Sequence, residues 1–122
     1  MVNRIIRDPN DDSITVRAII ELEDGFLVQG YPDSFKTKVT LGGHVRKGES
    51  LWEALKRELW EEAKVEILIE EIRPSTQVFE NYYYILSSED ISKPQVGRWN
   101  QDGGRVEVVT YDELISQNEK KQ

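Results

Sequence analysis

The chain has 122 residues, 38% of them hydrophobic, with a net charge of −7 and no cysteine. That length predicts one domain, spanning 1–122, with enough apolar residues to bury a core. The acidic balance argues against a protein that coats nucleic acid polymers, and the absence of cysteine excludes disulfides, a thiolate zinc site and a cysteine nucleophile.

The chain opens with an apolar patch at Val2–Ile6, and the run Asp8-Pro9-Asn10-Asp11-Asp12 is turn chemistry. Ser13 to Leu22 alternates, with Val16, Ala18, Ile20 and Leu22 on one side and Thr15, Arg17 and Glu21 on the other, which predicts a strand. Asp24-Gly25 signals a hairpin, and Phe26 to Gln29 returns as the partner strand. Gly30 to Lys38 reads as a loop carrying Tyr31, Pro32 and Phe35. Lys38 to Leu41 is a short strand feeding Gly42 and Gly43, which are expected in a loop. Paired glycines serve either a tight turn or a close backbone approach to a metal or phosphate. His44 is the only histidine and reads as a loop residue.

A helix is predicted from Leu51 to Ala63. Ser50 followed by Glu53 is a capping box, and the segment contains neither Gly nor Pro. At about 100° per residue, Glu62 falls about 40° from Glu58 and Glu61 about 60° to its other side. The three carboxylates sit on the shoulder of the stripe formed by Leu51, Trp52, Leu55, Leu59 and Ala63. Acids at i, i+3 and i+4 repel one another. Arg57, four residues before Glu61, is the only well-placed cation on the helix. It reads either as an ordinary i,i+4 pair or as a group that orients Glu61. A divalent cation would supply the missing charge, and oxygen-only ligands suit Mg²⁺ or Mn²⁺. Trp60 falls opposite the acids, where exposure would mark a subunit contact.

Beyond the helix, Glu66 to Ile72 alternates and predicts a strand ended by Pro74. Thr76 to Leu86 is rich in β-branched and aromatic residues and predicts one further strand, with Tyr82, Tyr83 and Tyr84 facing alternate sides. Ser87 to Gly104 is an irregular loop containing Trp99 and Asp102. Arg105 to Thr110 is a last strand, followed by a short helix from Tyr111 with Asp112 as its cap.

The spacing Gly43, Glu49, Arg57-Glu58-Leu59, Glu61-Glu62 resembles the Nudix box, G-x5-E-x7-R-E-U-x-E-E-x-G-U with U aliphatic. The opening strand, acidic turn and short strand are similar to that family too. Lys64 stands where the pattern has its last Gly, Leu41 where many members have Pro, and Arg46 where many have an acid. Arg46 either removes a secondary metal contact or adds a phosphate contact.

The resemblance implies an α/β/α sandwich: a mixed sheet, the box helix on one face and a short C-terminal helix. It implies hydrolysis of a nucleoside diphosphate linked to another group, with Mg²⁺ as cofactor and Mn²⁺ as a possible substitute. Glu58, Glu61 and Glu62 would hold the metal, with the Gly42 carbonyl and Glu49 in support and Asp102 or Glu107 as a further acid; Glu80 is a weaker candidate for that last place. Glu58 is the first choice for general base. Gly43, Arg46, Arg17, Tyr31 and Phe35 are the expected substrate contacts, the two aromatics stacking on a base or packing under their loop. A nucleotide-binding module without turnover is the alternative function. The expected partners are a small nucleotide and, at most, a second copy of the chain, as monomer or homodimer. No signal peptide or spanning segment is visible, so the expected location is cytoplasmic, with no membrane partner.

Overall fold

The computed structural model describes residues 13–32 and 37–120. The apolar patch at 2–6, the turn at 8–12 and Phe35 lie outside the described residues. Seven strands form one sheet: β1 Thr15–Leu22, β2 Gly25–Tyr31, β3 Thr37–Val39, β4 Leu41–His44, β5 Thr76–Val78, β6 Asn81–Ser87 and β7 Arg105–Val109. Helix α1 spans Leu51–Ala63 and α2 spans Tyr111–Lys120. The sheet is mixed, because β1 runs parallel to β6 while the other pairings are antiparallel.

The feature that positions the site is a splay. β1 and β2 pair only beside their turn, from Leu22↔Gly25 to Ile20↔Leu27. Farther along they separate. β4 takes the place beside Thr15–Ala18, and β3 takes the place beside Gln29–Tyr31. The segment read from sequence as one strand, Lys38 to Leu41, is therefore two strands broken at Thr40, each serving a different neighbour. Gly42 and Gly43 lie in β4, not in a loop. Gly42 has φ 143°, and a Cβ there would lie 2.0 Å from the Val16 carbonyl oxygen. Only glycine allows β4 to approach β1 so closely. Tyr31 closes β2 instead of lying in the following loop.

Alternation along the strands assigns the two faces. Val16, Ala18, Ile20, Leu27 and Val106 pack with Leu55 and Leu59 of α1 in one core. Phe26, of opposite parity, meets Tyr111 of α2, with ring centroids 6.2 Å apart. The helices thus cover opposite faces, giving the α/β/α arrangement.

The helix begins as its capping box dictates: Ser50 Oγ accepts from Glu53 N–H, and Glu53 accepts from Ser50 N–H. It ends on Lys64 in the left-handed conformation, φ 54°, with its N–H on the Leu59 and Trp60 carbonyls. Lys fills the glycine position without changing the motif, and its Nζ lies 4.9 Å from the Trp60 ring. Trp60 is exposed, on the side of the helix opposite the acids.

Three further expectations need correction. Glu66 to Ile72 is not a strand; it holds one bridge, Ile67↔Ile91, and its apolar alternation anchors an irregular segment to the core. Thr76 to Leu86 is a hairpin, turning at Phe79 with φ 53° and Glu80. The cap of α2 is Thr110, whose side chain and backbone exchange hydrogen bonds with Glu113. That T-x-x-E signature competes with Asp112 and wins because both orphan N–H groups are satisfied at once.

Candidate active site

The splay between β1 and β2 is lined by the acids of α1. Glu58, Glu61 and Glu62 share a cleft of about 490 Å³ with Arg46, Lys64, Trp99 and Asp102. The helix sets their order, and β4 sets their depth. Gly43 faces Glu58 so closely that any Cβ would lie 2.5 Å from its carboxylate. Gly42 N–H donates to Glu62 Oε1 at 2.9 Å.

Arg57 is a hub. Its Nε donates to Glu49 Oε2 at 2.7 Å and its Nη2 to Glu49 Oε1 at 3.0 Å. Nη1 reaches Glu58 at 3.0 Å and Glu61 at 3.3 Å, and Nη2 also reaches the His44 carbonyl at 3.0 Å. The planar fork suits this several-fold task better than an ammonium. Glu49 Oε1 also accepts from Arg46 N–H, so both its oxygens are engaged. The hydrogen bonds from Arg57 hold the Glu49 carboxyl below the usual range, and those from Glu49 and Glu58 push the Arg57 guanidinium up. The i,i+4 pair with Glu61 is thus one contact of a larger clamp. Arg46 approaches Glu61 at 3.9 Å.

Glu62 differs from its neighbours. Burial pushes its carboxyl up to about 8, and the charge of Glu58 adds to this against the Gly42 and Gln29 hydrogen bonds. Gln29, fully buried, donates to Glu62 Oε2 at 3.2 Å and to Tyr31 Oη at 3.0 Å. Tyr31 Oη donates to Asp102 Oδ2 at 2.8 Å, and Asn100 Nδ2 donates to the side-chain Oε1 of Gln29. Burial and the Asp102 carboxylate push the Tyr31 phenol up. The hydroxyl of Tyr31 is therefore tied into the carboxylate network. Gln29 and Asn100 were missed by the sequence reading; a glutamine in an otherwise apolar strand face was the one available signal.

The remaining candidates fall elsewhere. Arg17 donates to the Thr40 carbonyl at 3.2 Å and lines a second cleft, about 420 Å³, with Ile19, Tyr83, Asn81 and Leu114. Glu107 pairs with Lys38 at 2.6 Å. Glu80 sits at the exposed tip of the β5–β6 hairpin.

No group of three Asp, Glu, His or Cys side chains among the described residues is gathered into a ready metal cage. Arg57 draws Glu58 and Glu61 to itself, while Glu62 turns onto Gly42 and Gln29. The donor set still fits a hard divalent cation. It is all oxygen, its charges outnumber the cations touching them, and the missing Cβ of Gly43 keeps Glu58 free to lie against β4.

A splayed mixed sheet, a glycine pair and a helix carrying three carboxylates together define the class of fold to which the chain belongs. The family model described as NUDIX domain matches residues 12–122, and the chain belongs to the Nudix family. Members of that family generally use divalent metal ions. The fold is similar to a Nudix hydrolase from Nitrosomonas europaea, with 24% identity, a TM-score of 0.61, and coverage of 88% of this chain and 78% of that one. It is similar to the mutator MutT protein from Bacillus halodurans, with 21% identity, a TM-score of 0.61, and coverage of 84% and 71%. A Nudix hydrolase family member from Chromobacterium violaceum has 27% identity and a TM-score of 0.55, with coverage of 85% and 67%. No curated protein matches the chain.

Proposed function

We propose that the chain is a Mg²⁺-dependent hydrolase that cleaves the diphosphate bond of a nucleoside diphosphate linked to another group. The observation that carries this reading is the convergence of Glu58, Glu61 and Glu62 on one cleft, with Glu62 half-buried and held by two neutral donors, Gly42 N–H and the Gln29 amide. Structural acids on a helix are paired or solvated.

Glu58, Glu61 and Glu62 would hold Mg²⁺, with the Gly42 carbonyl and Asp102 as further donors. The ion, when bound, neutralises diphosphate oxygens and acidifies water. Glu58 takes the proton of the attacking water, since its carboxylate lies against the side-chain-free Gly43 where a phosphate can approach. Arg57 fixes Glu58 and Glu61, and Glu49 fixes Arg57. Arg46 and Arg17 face the departing and retained phosphates. The apolar walls of the second cleft, with Tyr83, seat the nucleoside. The products are a nucleoside monophosphate and pyrophosphate or a phosphorylated partner.

The test is release of a nucleoside monophosphate from a panel of nucleoside diphosphate derivatives with Mg²⁺ or Mn²⁺, beside Glu61→Gln and Glu62→Gln. Turnover that needs the metal and vanishes in both variants supports the hydrolase. A nucleotide-binding module without turnover is favoured by one observation, the engagement of Glu58 and Glu61 by Arg57. That reading requires tight binding of one panel member and cleavage of none.

A further inference from the structure

Trp60 does not line the carboxylate cleft, yet it stands 52% exposed on the outer side of α1. Tryptophan is a residue that folding normally covers. With Lys56, Val65, Glu66 and Ile67 it lines a groove of about 310 Å³. One wall is a row of the helix, where Lys56, Trp60 and the cap residue Lys64 follow at i, i+4 and i+8. The other wall is the segment that leaves the helix, with the exposed Glu66 on its rim. Val65 and Ile67, both buried, form the apolar floor. Leu68, next along that segment, is 59% exposed.

Both walls are held firm. Lys64 Nζ lies 4.9 Å from the Trp60 ring and backs it. Ile67 bridges to Ile91, and Leu68 N–H donates to the Asp90 carbonyl at 2.8 Å. Ser92 N–H donates to the Glu66 carbonyl at 2.9 Å, and Glu66 N–H donates to Ser92 Oγ at 2.8 Å. A wall already in place loses little freedom on binding, which lets an exposed tryptophan act as an anchor.

Charge selects the occupant. The chain carries −7 overall, so two copies repel one another over most of their surface. In this groove the charges balance, with Lys56 on the helix wall and Glu66 on the segment wall. A two-fold contact makes a patch meet itself, so it needs a patch that complements itself in charge and in shape. This one does: a cation faces an acid across the groove, and a protruding indole stands beside an apolar floor. We propose that two copies of the chain associate through this groove about a two-fold axis. Each Trp60 packs on the Ile67–Leu68 wall of the other copy, and each Lys56 pairs with Glu66 across the axis. None of the five groove residues lines the carboxylate cleft, so the association stands apart from the hydrolase reading. The patch is small beside the about 1,600 Å² of a standard interface, so the dimer is expected to dissociate in the micromolar range.

Sedimentation velocity on the whole chain, across about 1–500 µM, tests this. The wild type is expected to pass from monomer to dimer over that range. Trp60→Ala should raise the dissociation constant by about thirtyfold or more, as the loss of an anchor does. Lys56→Glu gives the groove two acids, and Glu66→Lys gives it two cations. Each variant alone should stay monomeric where the wild type is dimeric. Mixed in equal amounts, the two should restore a dimer, a recovery that misfolded variants would not give. A wild type that stays monomeric throughout overturns the inference. So does a dimer that Trp60→Ala or the single charge reversals leave unchanged, or a mixture that does not recover.

Discussion

Glu62 is where the residue-scale chemistry concentrates. Its carboxyl is raised from 4.5 to about 8, so within that window the folded chain keeps a proton that the unfolded chain has released. Metal-free stability therefore falls as pH rises through the window and levels off above it. Glu62→Gln removes this slope. Urea unfolding of both proteins without metal at pH about 5 and about 9 checks it: the wild type should lose more stability than the variant between the two. Gln29 acts through Glu62. Gln29→Leu leaves Glu62 without one of its two donors and should weaken Mg²⁺ affinity by about 10–100-fold. The check is the Mg²⁺ concentration that gives half-maximal turnover. The acids of the box were legible in the sequence because a helix converts spacing into direction. Gln29 was not, because its partner Glu62 is 33 residues away and only the splay of β1 from β2 brings them together.

Elements were legible where local chemistry decides them. Ser50 and Glu53 fixed the start of α1, and Ser50→Ala should cost about 1 kcal/mol by denaturant unfolding. The end of α1 shows tertiary structure overruling preference, since Lys64 takes the glycine conformation and rests on Trp60. The Glu66 to Ile72 segment shows the converse. Its isoleucines alternate as in a strand, yet Leu68 N–H bonds the Asp90 carbonyl and Ser92 N–H the Glu66 carbonyl, at the ends of a single bridge. Period two reports which side chains are buried, not whether a ladder forms. The β5–β6 turn lacked any glycine signal, so the hairpin read as one strand. Within β6, the Tyr84 hydroxyl is buried with no hydrogen-bond partner among the described residues, and burial pushes it up to about 12. Removing it removes a desolvation cost. Tyr84→Phe is expected to leave the melting temperature unchanged or raise it, and calorimetry decides.

At the scale of the whole molecule, one structural decision makes the site: β1 and β2 part after their turn, and β3 and β4 fill the opening from either side. The box helix seals one face and α2 covers the other, and the carboxylates of the box helix line the cleft beside the opening. Composition and periodicity gave strands and a helix; the Nudix resemblance supplied the sandwich. The splay itself was invisible, because it depends on Gly42 fitting against Val16 and on a break at Thr40 that has no sequence mark. The central claim is that Glu58, Glu61 and Glu62 form a metal centre. Calorimetric titration of Mg²⁺ into the wild type and into Glu58→Gln, Glu61→Gln and Glu62→Gln tests it most directly, run in two buffers of different ionisation heat near neutral pH. The wild type should bind Mg²⁺ with release of a proton from Glu62, and each substitution should weaken binding sharply. Binding that is absent from the wild type, or indifferent to all three substitutions, would contradict the account.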